Sequence, residues 1–364
     1  MYNKTRVRNR PHNNRGRTKK RIRNKHSKRI QKHSYSLKKK VIKKKTMKGG
    51  NIKGGTSDSF HHMRCSPLSH EYKHGNPTDT HLSCLPNRDI ELIKKYWNIE
   101  YPNDKITETN PYHIWSEIQN KLENKCHNDY CILKQPFITK HMKKSKHNKL
   151  LHSEFGGTHT TDDLTNYYAP KMPEEWKKNP DEWLSSIEII EKMKQYEDAY
   201  KCFEFIGPVP IDFDTVLEDN TCVDNEMCKF QLSDYIHNNT KKIGIIFNTD
   251  PHDKSGKHWI SLFINIPKKK VFFFDSAGDK APKQIMNFFY RIKNQGLALS
   301  TPIEFTFDQN HPNVHQQSTS ECGMYSLFFI INMLEDRLTE NYLKTHIIPD
   351  SQMKEYRTQY FNNI

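Results

Sequence analysis

The chain has 364 residues, with 58 Lys and Arg against 42 Asp and Glu, so its formal net charge is +16. This length suits one large domain or two. The longest unbroken apolar run, over residues 327–331, falls far short of the roughly 20 residues that a membrane-spanning helix requires, so we expect no membrane association.

The basic charge is concentrated at the N-terminal end. Residues 1–55 contain 22 of the 58 basic residues and no acidic residue, which leaves 36 basic and 42 acidic residues in the remainder. We divide the chain into a disordered polybasic tail over 1–56, a mostly helical accessory region over 57–170 and a catalytic domain over 171–364.

The tail has no periodic apolar face, so it buries too little surface to offset the entropy of ordering. It is also too basic and too poor in apolar residues for a secretory signal peptide. Its Lys and Arg runs predict sequence-independent binding to nucleic acid; a nuclear import signal or a merely solvated arm is the alternative.

Two similar elements close the tail, each a large apolar residue, any residue and a Gly pair. A flexible glycine linker is one interpretation of this pattern. The elements are Met47-Lys48-Gly49-Gly50 and Ile52-Lys53-Gly54-Gly55.

The accessory region shows helical periodicity over residues 89–97 and 111–122. Cys126 and Cys131, with Cys65 and Cys84 upstream, raise a zinc site as an alternative, but their spacing matches no common zinc finger. We therefore expect buried free thiols and no metal. Eight cysteines in a chain of this length make no disulfide framework, so we expect a reducing, intracellular setting.

The catalytic region mixes helical and strand patterns, which predicts an α+β core with a central mixed sheet. The strands at 257–266 and 270–275 are separated by three residues and should pair as a hairpin. The other predicted strands are 242–248 and 303–307, with an extended edge segment at 205–214; the predicted helices lie within 173–196 and at 282–294, 322–334 and 341–346.

Cys322 stands where a polar loop meets a strongly apolar helical segment. Unpaired amide groups and the positive end of the helix dipole favour a thiolate at that position. A thiolate is the nucleophile of cysteine chemistry, and it needs a base and a group that orients the base.

His258 begins the first strand of the predicted hairpin and Asp275 ends the second, so the two should be neighbours as base and orienting acid. His252 and Asp279 are the spare base and acid. Gln316, six residues before Cys322, can donate an amide hydrogen bond to a developing oxyanion, and a shift of one residue in the loop would substitute Gln317.

In this order and spacing, the motifs resemble the cysteine peptidases of the ubiquitin-like-protein protease and adenovirus proteinase group, most closely the branch of large DNA viruses. The resemblance is specific over about residues 241–335. The matching motifs are Asn248-Thr-Asp-Pro-His252-x5-His258-Trp259, Phe274-Asp275-Ser276 and Glu321-Cys322-Gly323.

The resemblance implies an adenain-like, papain-superfamily fold with His258, Asp275 and Cys322 as the triad, Gln316 as oxyanion donor and no cofactor. It also implies a supporting role for Asn248. It further implies cleavage after Gly-Gly, hence the hypothesis that the protein removes its own tail after Gly50 or Gly55.

Three functions compete. The first is a protease that processes viral structural precursors, located in the virion or the cytoplasmic viral factory, or in the nucleus through the basic tail. The second is an isopeptidase acting on ubiquitin-like modifiers, and the third is an acetyltransferase using the same triad.

Overall fold

The computed structural model describes residues 47–48, 61, 63–72, 83–144 and 161–364. The predicted disorder of the tail and the Gly50 and Gly55 sites lie outside these residues. Within the tail, Met47–Lys48 (β1) pairs in parallel with His70–Glu71 (β2).

A five-stranded mixed sheet forms the centre of the C-terminal part. The strand order is β3-β4-β5-β6-β7, with parallel pairing at both ends and antiparallel pairing between the inner strands. The strands are β3 (Phe203–Pro210), β4 (Lys242–Asn248), β5 (Trp259–Asn265), β6 (Lys270–Phe274) and β7 (Thr306–Gln309).

The two faces of this sheet pack on different layers, because successive side chains of a strand point to opposite faces. In β5, Trp259 and Phe263 join the core around the Cys322 helix, while Ile260, Leu262 and Ile264 pack on the other face. The first layer contains α6 (Glu174–Lys178), α7 (Ser186–Ala199), α11 (Cys322–Leu334), α12 (Glu340–Thr345) and α13 (Asp350–Tyr360); the second contains α8 (Asn225–Cys228), α9 (Leu232–His237) and α10 (Lys283–Leu297).

The accessory region has a core of its own, built by helices. Trp115, Ile118 and Tyr168 are fully buried in it. Buried Asp129 accepts hydrogen bonds from Trp115 Nε1, Gln119 Nε2 and the Tyr168 hydroxyl, which offset part of the cost of its burial. The helices are α1 (Asn87–Glu100), α2 (Pro111–Leu122), α3 (Asp129–Leu133), α4 (Pro136–Lys144) and α5 (Thr161–Thr165).

Most predicted elements are confirmed, including the α+β class, the edge position of β3 and the β5–β6 hairpin. The strand predicted at 303–307 was placed too early. Ile303 donates its N–H to Gly296 O at the end of α10, so this segment is held by the helix and pairing begins only at Thr306.

Helix α13 was not predicted. Its buried side chains are Met353, Arg357 and Tyr360, which have helical spacing, but one of them is charged. Because one of the three buried positions is an arginine, the sequence shows no apolar helix face here.

Two expectations about the cysteines were wrong: the four cysteines of the accessory region are not free thiols, and six of the eight cysteines in the chain form disulfides. Cys65 is joined to Cys84, Cys126 to Cys131, and Cys222 to Cys228. Cys65 and Cys84 lie on separate segments whose Cα atoms come within 5.3 Å, a proximity that only tertiary structure creates. Cys202 and Cys322 are free.

Across the described residues, we find no helix that combines the length and apolarity needed to span a membrane.

Candidate active site

Cys322 is the first residue of α11, and its side chain is only 1% exposed. Every residue of this helix is buried, so the nucleophile is fixed to the centre of the fold. Glu321, at the N-cap position, makes no side-chain cap hydrogen bond. The N–H groups of the first turn therefore remain available to stabilise negative charge at the sulfur and beside it.

Gly323 allows the nucleophile to sit tightly against its surroundings. A Cβ atom at this position would lie 2.8 Å from Leu184 Cβ and 3.2 Å from Trp259 Cδ1. Trp259 is itself held by a 2.9 Å hydrogen bond from its Nε1 to Leu184 O. The Cys-Gly pair is therefore explained by the close approach of two other segments to the helix start.

The hairpin brings His258 and Asp275 together, as its geometry predicted. His258 directly precedes β5, Asp275 directly follows β6, and His258 Nε2 lies 2.7 Å from Asp275 Oδ1. Asp275 is buried, and the same carboxylate oxygen accepts a 2.9 Å bond from Ala277 N. The carboxylate is thus held rigidly in a position to orient the imidazole.

Cys322 also acts on His258, and its side chain helps to raise the pKa of the ring. Burial opposes protonation of the ring, but the hydrogen bonds and Coulombic attraction of Asp275 and Cys322 outweigh it and raise the pKa of His258 to about 10. Since Asp275 occupies Nε2, Nδ1 is left for the sulfur. A protonated imidazole at neutral pH favours a thiolate–imidazolium pair.

Gln316 is half-buried, and both ends of its side-chain amide are engaged. Its Oε1 accepts a 2.7 Å bond from the Ser276 hydroxyl, and its Nε2 donates to Ser318 O at 2.8 Å. Gln317 is exposed, and its backbone N–H is bound by Asp350 Oδ2 at 3.0 Å. Of the two glutamines, Gln316 is the one connected to the strand that carries the acid.

The spare base and acid are placed elsewhere. His252 Nδ1 lies 2.6 Å from Asp212 Oδ2, and the His252 N–H also binds that carboxylate. Asp279 is exposed. Asn248 accepts N–H groups from Asp250 and Lys257, so it shapes the loop that leads to His258.

Asn310 is a supporting residue that sequence reasoning missed. It is completely buried, accepts the Asp275 N–H at 2.9 Å and donates to Asp275 O at 2.7 Å. It therefore clamps the backbone of the acid from both sides. No sequence signal identifies it, because an asparagine between a strand and a proline is typical of an ordinary turn.

Within the described part of the chain, no three His, Cys, Asp or Glu side chains are grouped so that they could hold a metal ion. The arrangement is instead that of a cysteine nucleophile, an imidazole base oriented by a carboxylate, and nearby N–H donors. Such a set performs acyl transfer through a covalent thioester.

Comparison with known proteins finds a family model and several relatives that match part of this chain. Residues 229–364 match the C-terminal catalytic domain of the Ulp1 protease family, Peptidase C48. The chain is 32% identical over 182 residues to a candidate thiol protease of Acanthamoeba polyphaga mimivirus, covering 50% of this chain and 57% of that protein. The chain thus spans little more than half the length of this relative.

A second relative is a SUMO-1 cysteine protease of African swine fever virus, 24% identical over 256 residues, which covers 68% of this chain and 87% of that protein. The crystal structure of an African swine fever virus protease superposes with a TM-score of 0.53 at 19% identity, covering 71% of this chain and 94% of that one. The fold is shared, and residues 229–364 carry the match to the catalytic domain of the Ulp1 protease family.

Proposed function

We propose that this protein is a cysteine endopeptidase that cleaves after Gly-Gly and processes structural precursors of a large DNA virus. The Cys322 thiolate attacks the scissile carbonyl carbon, and Gln316 Nε2 with N–H groups at the start of α11 receives the oxyanion. His258 then gives its proton to the leaving amine. Water releases the acyl group from sulfur and regenerates the thiol.

The Gly-Gly preference is supported by the two apolar-x-Gly-Gly elements of the tail, which have the proposed cleavage pattern. Leu184 and Trp259 approach so closely that a single added Cβ atom on the nucleophile's neighbour would collide with them. This packing, with the Trp259 ring hydrogen-bonded to Leu184 O, fixes the position of the helix start that carries the nucleophile.

The loop that leads to Cys322 borders an open cavity. This cavity of about 520 Å³ is lined by Trp183, Ser318 and Lys354, among others. Trp183 is 41% exposed, so its ring is available to an apolar substrate side chain. A large apolar substrate residue upstream of Gly-Gly would pack on this ring.

A peptide panel tests the proposal. Peptides with an apolar residue, any residue and Gly-Gly should be cleaved after the second glycine, while Ala in place of either glycine should reduce kcat/KM by at least about tenfold. Cys322→Ala should abolish turnover without changing the melting temperature. Cleavage that ignores the glycines would contradict the preference, and activity of Cys322→Ala would contradict the mechanism.

An isopeptidase acting on ubiquitin-like modifiers is the second candidate. It is favoured by the relative from African swine fever virus that is named a SUMO-1 cysteine protease. Modifiers carrying a C-terminal fluorophore separate the two functions. A kcat/KM far above that of the matched peptide would identify the isopeptidase, because only a folded modifier gains affinity from a surface beyond the cleft.

The two Gly-Gly elements of the tail would make the protein its own substrate. Gly50 and Gly55 each follow an apolar-x-Gly pattern that matches the proposed preference. N-terminal sequencing after incubation should show new ends at Asn51 or Thr56 in the wild type and an intact Met1 in Cys322→Ala. An intact wild-type N-terminus would reject tail removal.

The basic tail would bind nucleic acid before its removal. With 22 Lys and Arg and no acid in residues 1–55, binding would neutralise phosphates and release counterions. The full-length Cys322→Ala protein should bind duplex DNA of any sequence with an affinity that falls steeply with salt. The same protein lacking residues 1–55 should lose this binding.

A further inference from the structure

The orientation of the Gln316 amide determines whether this residue can serve an oxyanion. Only the NH₂ end can donate a hydrogen bond, and a glutamine side chain can turn either end toward a given point. Ser318 O lies 2.8 Å from one end of the amide and, as a carbonyl oxygen, only accepts. That end must therefore be the nitrogen, and the other end is the oxygen.

The amide oxygen faces the Ser276 hydroxyl at 2.7 Å. An amide oxygen only accepts, so the hydroxyl is the donor. This bond and the one to Ser318 together hold the amide in a single orientation. Nε2 has two N–H groups, one of which is used by Ser318, and the second has no partner among the described residues.

Ser276 is well placed to act on Gln316. It directly follows Asp275 at the end of β6 and is 1% exposed. Its carbonyl oxygen accepts the N–H groups of both His315 and Gln316 at 2.9 Å. Gly278, with φ of +75°, closes the turn by donating to Asp275 O.

We propose that Ser276 is a positioning residue that presents the Gln316 N–H to the oxyanion, an inference that rests on the proposed proteolytic function. Two adjacent residues at the end of β6 then position the base and the oxyanion donor. Asp275 orients the base, and Ser276 orients the oxyanion donor. Without the hydroxyl, the amide loses the partner of its oxygen and can turn or swing away.

Ser276→Ala isolates the hydroxyl, because both backbone bonds to the Ser276 carbonyl remain. We expect kcat on the Gly-Gly peptide to fall about 10- to 100-fold with KM unchanged, which is less than the roughly 10²- to 10³-fold effect of removing an oxyanion donor itself. In a Gln316→Ala background, the same substitution should change kcat less than about twofold, since the residue it positions is already gone.

Ser261→Ala is the matched control. Ser261 is fully buried in β5, three residues from His258, and its hydroxyl has no hydrogen-bond partner in the described structure. It should leave kcat unchanged. Equal losses of kcat for Ser276→Ala in the wild-type and Gln316→Ala backgrounds, or no loss in either, would overturn the proposal.

A second readout does not depend on turnover. In a ¹⁵N-labelled protein, the side-chain NH₂ signals of Gln316 are assigned by their disappearance in Gln316→Ala. Ser276→Ala should collapse these signals toward free glutamine amides, whereas Ser261→Ala should not. If the signals move and no peptide is cleaved, the proposed function fails while the positioning role stands; if they do not move, the positioning role fails.

Discussion

Arg357 Nε donates to Glu321 Oε2 at 2.9 Å, and both side chains are buried directly behind the nucleophile. Glu321 precedes Cys322 in the chain, so an unneutralised carboxylate there would oppose a thiolate. The Arg357 guanidinium also lies 4.5 Å above the Trp176 ring. Helix α13, which the apolar pattern did not predict, thus supplies Arg357 to neutralise the carboxylate of Glu321 beside the nucleophile.

Arg357→Met should therefore lower the free energy of unfolding by about 3–5 kcal/mol, because it leaves a buried charge without its partner. The double variant Arg357→Met with Glu321→Gln should recover much of the lost stability. Urea unfolding of the single and the double variant measures both free energies. Lys354→Met is the control, because Lys354 lies on the same helix as Arg357 but forms an exposed ion pair with Asp181, so its loss should change stability little. An equally small effect of Arg357→Met would show that Arg357 does not neutralise a buried Glu321.

The raised pKa of His258, about 10, predicts the pH range of the ion pair. Folding favours the imidazolium, so its stabilisation is complete below the ordinary pKa of about 6.5 and is lost as pH rises through about 10. The alkaline limb of kcat/KM should lie near that value in the wild type.

Asp275→Asn should move this limb to lower pH and reduce kcat by about 10²- to 10⁴-fold, since the imidazole loses its orienting charge. A series of kcat/KM measurements across the alkaline range checks the shift. Asp212→Asn is the control, because Asp212 pairs with His252 and should leave the profile unaltered. An alkaline limb that stays in place in Asp275→Asn would show that Asp275 does not set the protonation of His258.

Asn310→Ala should affect both stability and catalysis. It leaves the backbone N–H and C=O of Asp275 without their buried partners, which costs about 1–3 kcal/mol for each unsatisfied group. The displaced carboxylate should also lower kcat. Asn265→Ala, which removes a bond to Lys268 N at the opposite end of the hairpin, should lower stability but spare kcat.

Gly323→Ala should lower the unfolding free energy by about 1–3 kcal/mol, because the new methyl group overlaps Leu184 and presses on Trp259. Activity should fall in the folded fraction as well. Gly244→Ala is the comparison, since its methyl group would meet Ile330, remote from the sulfur, and should destabilise while sparing kcat. Equal kcat losses in both variants would show that crowding at the nucleophile has no special role.

The candidate catalytic residues could be proposed from the sequence because local patterns expose them. Cys322 stands at an abrupt change from polar loop to apolar helix, and His258 and Asp275 occupy the two ends of a hairpin whose pairing follows from its alternation. The supporting residues were not predictable. Ser276, Asn310 and Arg357 act through contacts between residues 40, 35 and 36 positions apart in the chain, and each has an ordinary local context.

The amino-acid sequence by itself determined most element types, the α+β class, and the choice of Cys322, His258 and Asp275 as candidates for nucleophile, base and acid, because these depend on periodicity and on spacing within single elements. Only the tertiary structure decided which cysteines are joined, which end of the Gln316 amide faces outward and which cation neutralises Glu321. Those features depend on distances between segments far apart in the chain, and such distances are set by packing of the whole core rather than by any local pattern.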